Sequence, residues 1–255
     1  ARHSLGLDQP LAVQYALWMK SALSLRLGHS IVTGQPVTEL IAQRFAVTAR
    51  VVLLAMALAL AAAVPAGLVA AWRRGTATDR SIVLVSVLVM SVPSFWVGLL
   101  LILVFGIKLR WLPTVGYAGF VYLVLPVTCL ALAQAGGFVR LMRSSAMEVL
   151  RSDYVTHAYA KGLSDGAVLL RHVLKNAFTP TLTFAGWLLG ALLAGAAVIE
   201  TVFTLPGLGR LLVFSIYSRD YAVVQGIALF VACIYIGVNF LVDLVYPLLD
   251  PRVRL

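Results

Sequence analysis

Five long apolar runs dominate the sequence, and few folds can accommodate them. They cover residues 47–71, 81–107, 122–139, 178–203 and 223–245. The hydrocarbon core of a bilayer is about 30 Å thick, and about 20 apolar residues in a helix cross it. Because no water is present there to satisfy backbone polar groups, a crossing segment of this kind has to be helical. The runs therefore predict an all-α, polytopic membrane protein with five visible transmembrane helices.

Composition and charge agree with this fold class. Hydrophobic residues make up 61% of the chain and charged residues 12%, against about a quarter charged in an ordinary soluble domain. The net charge of +10 is also typical of proteins that bind nucleic acid. Here, however, the basic residues lie in short loops between apolar runs, as in the cytoplasmic loops of membrane proteins. We interpret the charge as a signature of membrane topology and expect no nucleic-acid partner.

The loop charges also predict the orientation and the domain organisation. The loop after the first run contains Arg73, Arg74 and Arg80, and a long polar loop over residues 143–175 is also basic, so both are predicted to be cytoplasmic. The C-terminal tail, residues 250–255, then lies in the cytoplasm as well. With five spans the first residue lies outside, so we expect a further helix before it in the complete protein. Residues 1–45 are predicted to be an external segment and residues 46–249 the membrane domain.

The polar loop is long enough to carry structure and function of its own. Ser152 or Asp153 is predicted to cap a short amphipathic helix by accepting a bond from a free backbone N–H. Gly162 is suited to end that helix, because glycine tolerates the left-handed conformation of a C-terminal cap. Ser164 or Asp165 is then predicted to cap a second helix that leads into the next span. Such an element could dock on a cytoplasmic protein, or it could be a plain connecting loop that rests on lipid headgroups.

The sequence of this loop resembles the coupling loop of binding-protein-dependent ABC importer permeases. The matching segment runs Asp153-Tyr154-Val155-Thr156-His157-Ala158-Tyr159-Ala160-Lys161-Gly162-Leu163. Five further strings, which together with this loop cover most of the chain, resemble the dipeptide, oligopeptide and nickel branch of that family. The first of these five strings resembles the B-type subunit of this branch. These strings are Leu5-Gly6-Leu7-Asp8-Gln9-Pro10-Leu11, Ser91-Val92-Pro93-Ser94-Phe95-Trp96, Glu200-Thr201-Val202-Phe203, Pro206-Gly207-Leu208-Gly209 and Leu249-Asp250-Pro251-Arg252.

The resemblance implies a type I ABC importer bundle in the bacterial inner membrane, with six spans in the full chain and a cytoplasmic coupling helix. It implies a second permease as heterodimer partner, two ATP-binding subunits that hold ATP and Mg, and an extracytoplasmic substrate-binding protein. The residues implied in ATPase coupling are Asp153, Tyr154, Thr156, His157, Ala158, Tyr159, Ala160, Lys161, Gly162 and Leu163. Within the branch, the resemblance favours peptide as cargo over nickel, glutathione or haem.

The chain departs from the general family pattern at two places. Where the family has Glu-Ala-Ala, this chain has Thr156, His157 and Ala158, and the usual Leu-Pro ending is absent near Leu174 and Lys175. The role of His157 is therefore open, and we interpret it as a solvated loop residue rather than a switch.

Five residues are candidates for a translocation path or gate: Ser91, Pro93, Phe95, Glu200 and Asp243. Proline removes a backbone donor and disturbs a helix, so the segment around Pro93 is either a hinge or a static kink. Acids within apolar spans are costly and often functional. Glu200 either shapes an outer gate or binds the loop that contains Pro206 and Gly207, whereas Asp243 is expected to pair with an arginine of the inner face.

The motifs that the sequence lacks bear on catalysis. There is no G-x-x-x-x-G-K-[ST], H-E-x-x-H or G-x-S-x-G, so we expect no catalytic residues, no metal site and no bound cofactor in this chain. Cys129 and Cys233 are interpreted as free thiols. The rival functions are a secondary transporter or channel, which would need ion sites near the midplane, and a membrane-embedded enzyme, which would need convergent polar groups.

Overall fold

The chain forms a bundle of helices. The structure, a computed structural model, describes residues 9–249, except for the side chains of residues 194, 195, 243 and 245–249. The helices are α1 (Leu11–Leu23), α2 (Val37–Trp72), α3 (Ala77–Ser91), α4 (Ser94–Leu101), α5 (Val124–Val149), α6 (Asp153–Ala160), α7 (Asp165–Val168), α8 (Leu174–Gly195), α9 (Ala197–Val202), α10 (Leu208–Tyr217) and α11 (Tyr221–Leu249). Two π-helical segments, Ile102–Lys108 and Leu169–Val173, continue α4 and α7, and a 3-10 turn, Phe120–Leu123, precedes α5.

Four of the five predicted spans correspond to helices that are long and apolar enough to cross a membrane. Three are single helices within the described residues, Val37–Trp72, Phe120–Val149 and Tyr221–Val242, and a fourth is the pair Ala77–Ser91 and Ser94–Lys108. The fifth predicted span, residues 178–203, is helical but is interrupted at Ala196 between α8 and α9. Among the described residues it does not meet the same criteria of length and apolarity.

The predicted continuous helix over residues 81–107 is wrong at its centre. The helix stops at Ser91 and resumes at Ser94, and the two parts are bent by 95°. Val92 is extended, with φ −93° and ψ 127°, because the ring of a following proline disfavours helical geometry in the residue before it. The Ser91 hydroxyl donates to the carbonyl of Val87 at 2.8 Å, which satisfies one of the carbonyls left free at this helix end.

Helices α2 and α5 form the centre of the bundle, and glycines allow close approach between several pairs. A Cβ placed on Gly67 of α2 would lie 2.7 Å from Cβ of Met142 in α5. On Gly186 and Gly190 of α8, a Cβ would meet the side chains of Val242 and Tyr235 in α11. Small residues at such points permit tight helix packing in membranes, which fixes the positions of α8 and α11 relative to each other.

Two predicted boundaries fall inside helices. The boundary at residues 45 and 46 lies within α2, which begins directly after Pro36, where a proline fits at a helix start. The long polar loop was expected from residue 143, but α5 continues to Val149. Its last turns are rich in Met, Leu, Ala and Glu, residues that favour helix even where the chain becomes polar.

Apolar clusters pack short helices against α2 near both of its ends. Near its beginning, Val37, Leu40 and Ile41 pack with residues of α10 and α11. Near its end, Leu68 and Ala71 pack with residues of α5, α6 and α7. The two ends of the bundle therefore carry different sets of short helices.

Candidate functional site

Helix α6 is a short, defined element rather than an irregular loop. Gly162 follows it with φ +78°, the left-handed conformation that a glycine cap provides. The amide of Gly162 donates to the carbonyl of Tyr159 at 2.9 Å, and the amide of Leu163 donates to the carbonyl of Ala158 at 3.3 Å. This pair of bonds is the Schellman arrangement. The role predicted for Gly162 in ending the helix is confirmed.

The predicted N-terminal caps differ in detail from what is observed. Ser152 and Ser164 occupy the cap positions of α6 and α7, but neither side chain makes a capping hydrogen bond. The backbone carbonyl of Ser152 instead accepts from the amide of Val155 at 3.0 Å. The helix starts are thus fixed by the backbone and by packing.

One face of α6 is buried in its own bundle. Val155 and Ala158 are 1% and 5% exposed, and they pack in a cluster with Leu68 of α2, Met142 of α5 and Val173 of the π-helical segment. Burial of apolar surface contributes about 25 cal/mol per Å². The helix is therefore held by side-chain packing against three other elements.

The opposite face of α6 is accessible. Among the residues expected to take part in coupling, those that are exposed are Asp153, Tyr154, Thr156, His157, Tyr159, Ala160, Lys161 and Gly162. Leu163 is half-buried, and Ala158 faces the bundle rather than the exterior. The surface available to another protein is thus formed by the exposed set, while Ala158 supports it from below.

Tyr159 marks the edge between the two faces of α6. Partial burial, together with the nearby Asp165 carboxylate, raises the pKa of this phenol. Both influences favour the neutral form, so Tyr159 keeps its proton at neutral pH. The side chain acts there as an uncharged amphipathic contact.

Glu200 lies at a second polar centre, which is fully buried. The hydroxyl of Thr48 donates to one carboxylate oxygen of Glu200, and the amide of Arg210 donates to the other at 2.9 Å. Thr48 in turn accepts from the amide of Leu208 at 2.8 Å. The carboxylate therefore sits at the N-terminus of α10, where free amides and the helix dipole favour negative charge. We call these four residues the Glu200 network.

The loop before α10 fits closely around this carboxylate. A Cβ on Gly207 would lie 2.1 Å from the carboxyl carbon of Glu200, and one on Gly209 would lie 2.5 Å from the backbone of Ala197. The Glu200 carboxylate thus lies against the Pro206 to Gly207 loop, as one of the two sequence interpretations expects, while its role in an outer gate stays a prediction. The loop and the first turn of α10 can approach this closely only because neither Gly207 nor Gly209 carries a side chain.

A second loop is attached to the same region. The amide of Gly116 is bonded to the carbonyl of Phe203 at 3.1 Å and to the hydroxyl of Thr204 at 2.9 Å. The guanidinium of Arg50 in α2 donates to the hydroxyl of Tyr117 at 2.7 Å. Residues 109–119 and 203–207 are thus joined to each other and to α2.

The bend at Pro93 lies beside this centre. Gly98 of α4 faces Val202 of α9 and Phe203, which follows that helix, with a Cβ position 3.4 Å and 3.2 Å from their side chains. The thiol of Cys129 donates to the carbonyl of Ser94 at 3.1 Å. Among the predicted path residues, the structure places the bend at Pro93 beside the helix that carries Glu200. Ser91 and Phe95 lie at the bend itself, and Phe95 is 45% exposed. The side chain of Asp243 lies outside the described residues.

The exposed residues of α6 that are predicted to take part in coupling, which we call the coupling face, lie near one end of α2, and the Glu200 network lies nearer the other. The network contacts α2 at Thr48, whereas α6 packs near Leu68. Twenty residues of helix separate these two positions, about 30 Å at 1.5 Å per residue, which is close to the thickness of a bilayer core. The two predicted functional regions are therefore separated along α2 by about the thickness of a bilayer core.

Sequence reasoning missed two polar contacts. Thr48, in the first turn of an apolar run, is the hydroxyl partner of Glu200. Asp79 forms a two-bond ion pair with Arg143, with Nε to Oδ1 at 2.7 Å and the second bond at 2.9 Å. A lone acid in a loop that otherwise contains arginines is a signal that could have pointed to Asp79. Nothing in the sequence distinguishes Thr48 from other hydroxyl residues in the spans.

Comparison with known proteins connects these features to a family. Residues 63–255 match the family described as binding-protein-dependent transport system inner membrane component. A Brucella abortus protein named as a peptide transport system permease is 41% identical over 261 residues, which cover 99% of this chain and 83% of the relative. The glutathione transport system permease protein GsiC of Escherichia coli K12 is 40% identical over 253 residues, with the same two coverages of 99% and 83%.

Solved structures share the fold. An inward-facing form of the MetNI methionine ABC transporter superposes with a TM-score of 0.69 at 15% identity, over 83% of this chain and 96% of that one. An amino acid ABC transporter gives a TM-score of 0.57 at 15% identity, over 85% and 95% of the two chains. The helical arrangement described above is thus that of ABC importer permeases.

Proposed function

This chain belongs to the family of binding-protein-dependent transport system inner-membrane components, and we propose that it carries peptides across the bacterial inner membrane as one permease of an ATP-driven ABC importer. Peptide is favoured because the relative named for peptide transport is 41% identical over nearly the whole chain. Glutathione is the second candidate cargo, because GsiC is almost equally similar. Glutathione is itself a small peptide-like molecule, so the two cargoes differ little in chemistry.

The observation that carries the mechanism is the two-faced helix α6. Its apolar face is packed onto α2, α5 and the segment after α7, while its polar face is free. A displacement of this helix by a partner would therefore move the ends of two long helices with it, because close-packed contacts transmit displacement. In our proposal two ATP-binding subunits hold ATP and Mg, and one of them grips the exposed face of α6.

At the other end, the loops around the Glu200 network form the outer part of the path. We propose that a second permease completes the path as a heterodimer and that an extracytoplasmic binding protein delivers the cargo there. The bend at Pro93 lies beside α9, so a change of angle at the bend would reach the outer loops. In this arrangement the C-terminus lies in the cytoplasm, as the loop charges predict.

Affinity purification of the full-length tagged protein in mild detergent, followed by mass spectrometry, tests this proposal. Co-purification of a second permease and of ATPases with a phosphate-binding loop is expected. Stimulation of ATP hydrolysis by a peptide-loaded binding protein, measured on that complex, would then separate peptides from glutathione. Recovery of the protein alone, with uptake driven by an ion gradient in liposomes, would overturn the proposal in favour of a secondary transporter.

A further inference from the structure

A groove outside both functional regions combines a basic end with an apolar wall. It has a volume of about 350 Å³ and is lined by Asp79, Arg80, Val83, Leu84, Val87 and Arg143. The groove lies between α3 and α5, at the end of the bundle where α6 packs. None of its lining residues belongs to the coupling face or to the Glu200 network.

The polar end of the groove has an excess of positive charge. Both oxygens of the Asp79 carboxylate are engaged by Arg143, and one of them also accepts from the amide of Gly75 at 2.9 Å. Asp79 is the one acid among the described residues that line the groove, and its charge is already matched by Arg143. Arg80 is exposed beside this pair. An anionic group at this end would therefore meet a guanidinium that the pair does not neutralise.

Two more arginines strengthen the positive field. Arg73 and Arg74 are exposed in the loop that leads into α3. Arg74 is close enough to influence the Asp79 carboxylate electrostatically. The entrance of the groove is thus basic on the side of the loop as well as on the side of α3.

The wall that runs from this end is aliphatic. Val83, Leu84 and Val87 follow Arg80 at spacings of three, four and seven residues, which places them on one face of α3. Leu84 is 59% exposed and Val87 is 42% exposed. From Arg80 to Val87 the helix rises about 10 Å, so a basic end is followed by a strip of apolar surface of that length.

The neighbouring residues indicate the depth of the basic end. Trp72 ends α2 and is 39% exposed, and the guanidinium of Arg73 lies 5.5 Å from the centre of its ring. Tryptophan at the end of a spanning helix is typical of the headgroup layer. The basic end of the groove therefore lies at headgroup level, and its apolar wall points into the hydrocarbon.

We propose that this groove binds one anionic phospholipid. Its headgroup lies at Arg80, beside the pair formed by Asp79 and Arg143, and one acyl chain lies along Val83, Leu84 and Val87. Charge complementarity selects the anionic headgroup, because basic pockets between spanning helices on the cytoplasmic side bind such lipids. A bound lipid would connect the start of α3 to α5 close to the support of the coupling helix.

The test measures lipid retention by native mass spectrometry. The full-length protein is purified in the complex in which it occurs, and exchanged into micelles that contain equal amounts of phosphatidylglycerol and phosphatidylcholine. The wild type is expected to retain phosphatidylglycerol preferentially. Arg80→Gln is expected to lower that retention about fivefold, the effect of about one basic residue near an anionic lipid. Arg171→Gln, a matched change of an exposed arginine outside the groove, is expected to leave it unchanged.

Two results would overturn the proposal. One is equal retention of phosphatidylcholine and phosphatidylglycerol, or unchanged retention in Arg80→Gln, in a sample that elutes as folded complex on size-exclusion chromatography. The other comes from a photo-reactive amino acid at Leu84, which is expected to label lipid. Labelling of a protein chain instead would mean that a helix of a partner subunit fills the groove.

Discussion

At Glu200, a carboxylate with no exposure to solvent is stabilised by hydrogen bonds, and no cationic side chain pairs with it in the part of the chain that the structure describes. Its partners are the hydroxyl of Thr48 and the amide of Arg210 at the start of α10. Removing one partner of such a buried hydrogen bond destabilises the protein, because the donors that remain can bond neither to a protein acceptor nor to water. The network should therefore be sensitive to single substitutions.

We predict that Glu200→Ala destabilises the protein by about 3 kcal/mol, because it leaves several buried donors without an acceptor. Thermal unfolding of the purified protein measures this effect. The control is Glu39→Ala, which removes an exposed carboxylate that accepts a hydrogen bond from the side chain of Gln43 at 3.2 Å. A surface change of this kind is expected to stay within about 0.5 kcal/mol. Equal melting temperatures for the two variants would contradict a structural role for Glu200.

The same centre predicts an effect of a single methyl group at Gly207. A Cβ there would lie 2.1 Å from the carboxyl carbon of Glu200, so Gly207→Ala has to displace the loop or the carboxylate, at a cost of about 1–3 kcal/mol. Gly237→Ala is the matched control, because nothing lies within 4 Å of its Cβ position and alanine favours helix by about 1 kcal/mol. We expect lower stability and lower uptake in the first variant and neither in the second.

At the level of the element, α6 has one face that packs on the bundle and one face that is exposed. Val155 and Ala158 face the bundle, while Tyr154, His157 and Ala160 face outward. A short helix of eight residues is marginal by itself in water. Its stability therefore comes from the cluster on which it packs, and its exposed face is free to serve a partner.

This division predicts opposite outcomes for two neighbouring alanines. Ala160→Trp is expected to leave folding intact and to lower transport-coupled ATP hydrolysis at least about tenfold, because a bulky ring on the exposed face would block a partner's cleft. Ala158→Trp is expected to reduce the amount of folded protein, because the buried site has no room for the ring and overpacking costs about 1–3 kcal/mol or more. Full coupling in Ala160→Trp would count against α6 as the coupling element.

Gly162 requires a different control, because its φ of +78° lies in the left-handed region, which strains most side chains. Nothing lies within 4 Å of its Cβ position, so space within the chain is not limiting. We expect Gly162→Asn, which tolerates this conformation, to fold and couple better than Gly162→Val, which costs about 1 kcal/mol or more in backbone strain. Uptake per unit of ATP hydrolysed separates loss of coupling from loss of protein.

At the level of the whole molecule, α2 joins two functional surfaces that lie about 30 Å apart along its axis. Helix α6 packs by its apolar face near one end, and the Glu200 network lies near the other. The break at Val92 and Pro93, with its 95° bend, is the largest interruption among the candidate spans. A rearrangement that opens one surface and closes the other is expected to change the angle there.

This expectation can be checked by cross-linking in the assembled transporter. Cysteines are placed at Phe95 and Phe184 in a background in which Cys129 and Cys233 are alanine. We predict that ATP changes their cross-linking yield, because alternating access moves α4 relative to α8. The control uses a separate variant that keeps Cys129 and replaces only Cys233 by alanine. It pairs a cysteine at Gly98 with Cys129, whose Sγ lies 3.5 Å from the Gly98 Cβ position. A yield at Phe95 and Phe184 that is indifferent to ATP would indicate a static channel.

Much of the architecture followed from residue patterns, and the errors have identifiable causes. The apolar runs located the spanning helices, and Gly162 marked the end of α6. The break at Pro93 was visible as a hinge or kink, but its angle depends on the packing of α4 against α5 and α9. The start of α2 and the end of α5 extend beyond the predicted apolar runs, because helix propensity continues past the apolar residues that define a span.

The sequence by itself determined that the chain lies in a membrane, where four of its candidate spans fall and where the segment that resembles a coupling loop lies, because these properties depend on local hydrophobicity, charge and motif. Only the tertiary structure decided which face of α6 is free, which loop Glu200 holds, and that Asp79 pairs with Arg143 across 64 positions of sequence. These outcomes depend on contacts between distant segments. Such contacts arise from the packing of helices whose individual sequences do not specify their neighbours.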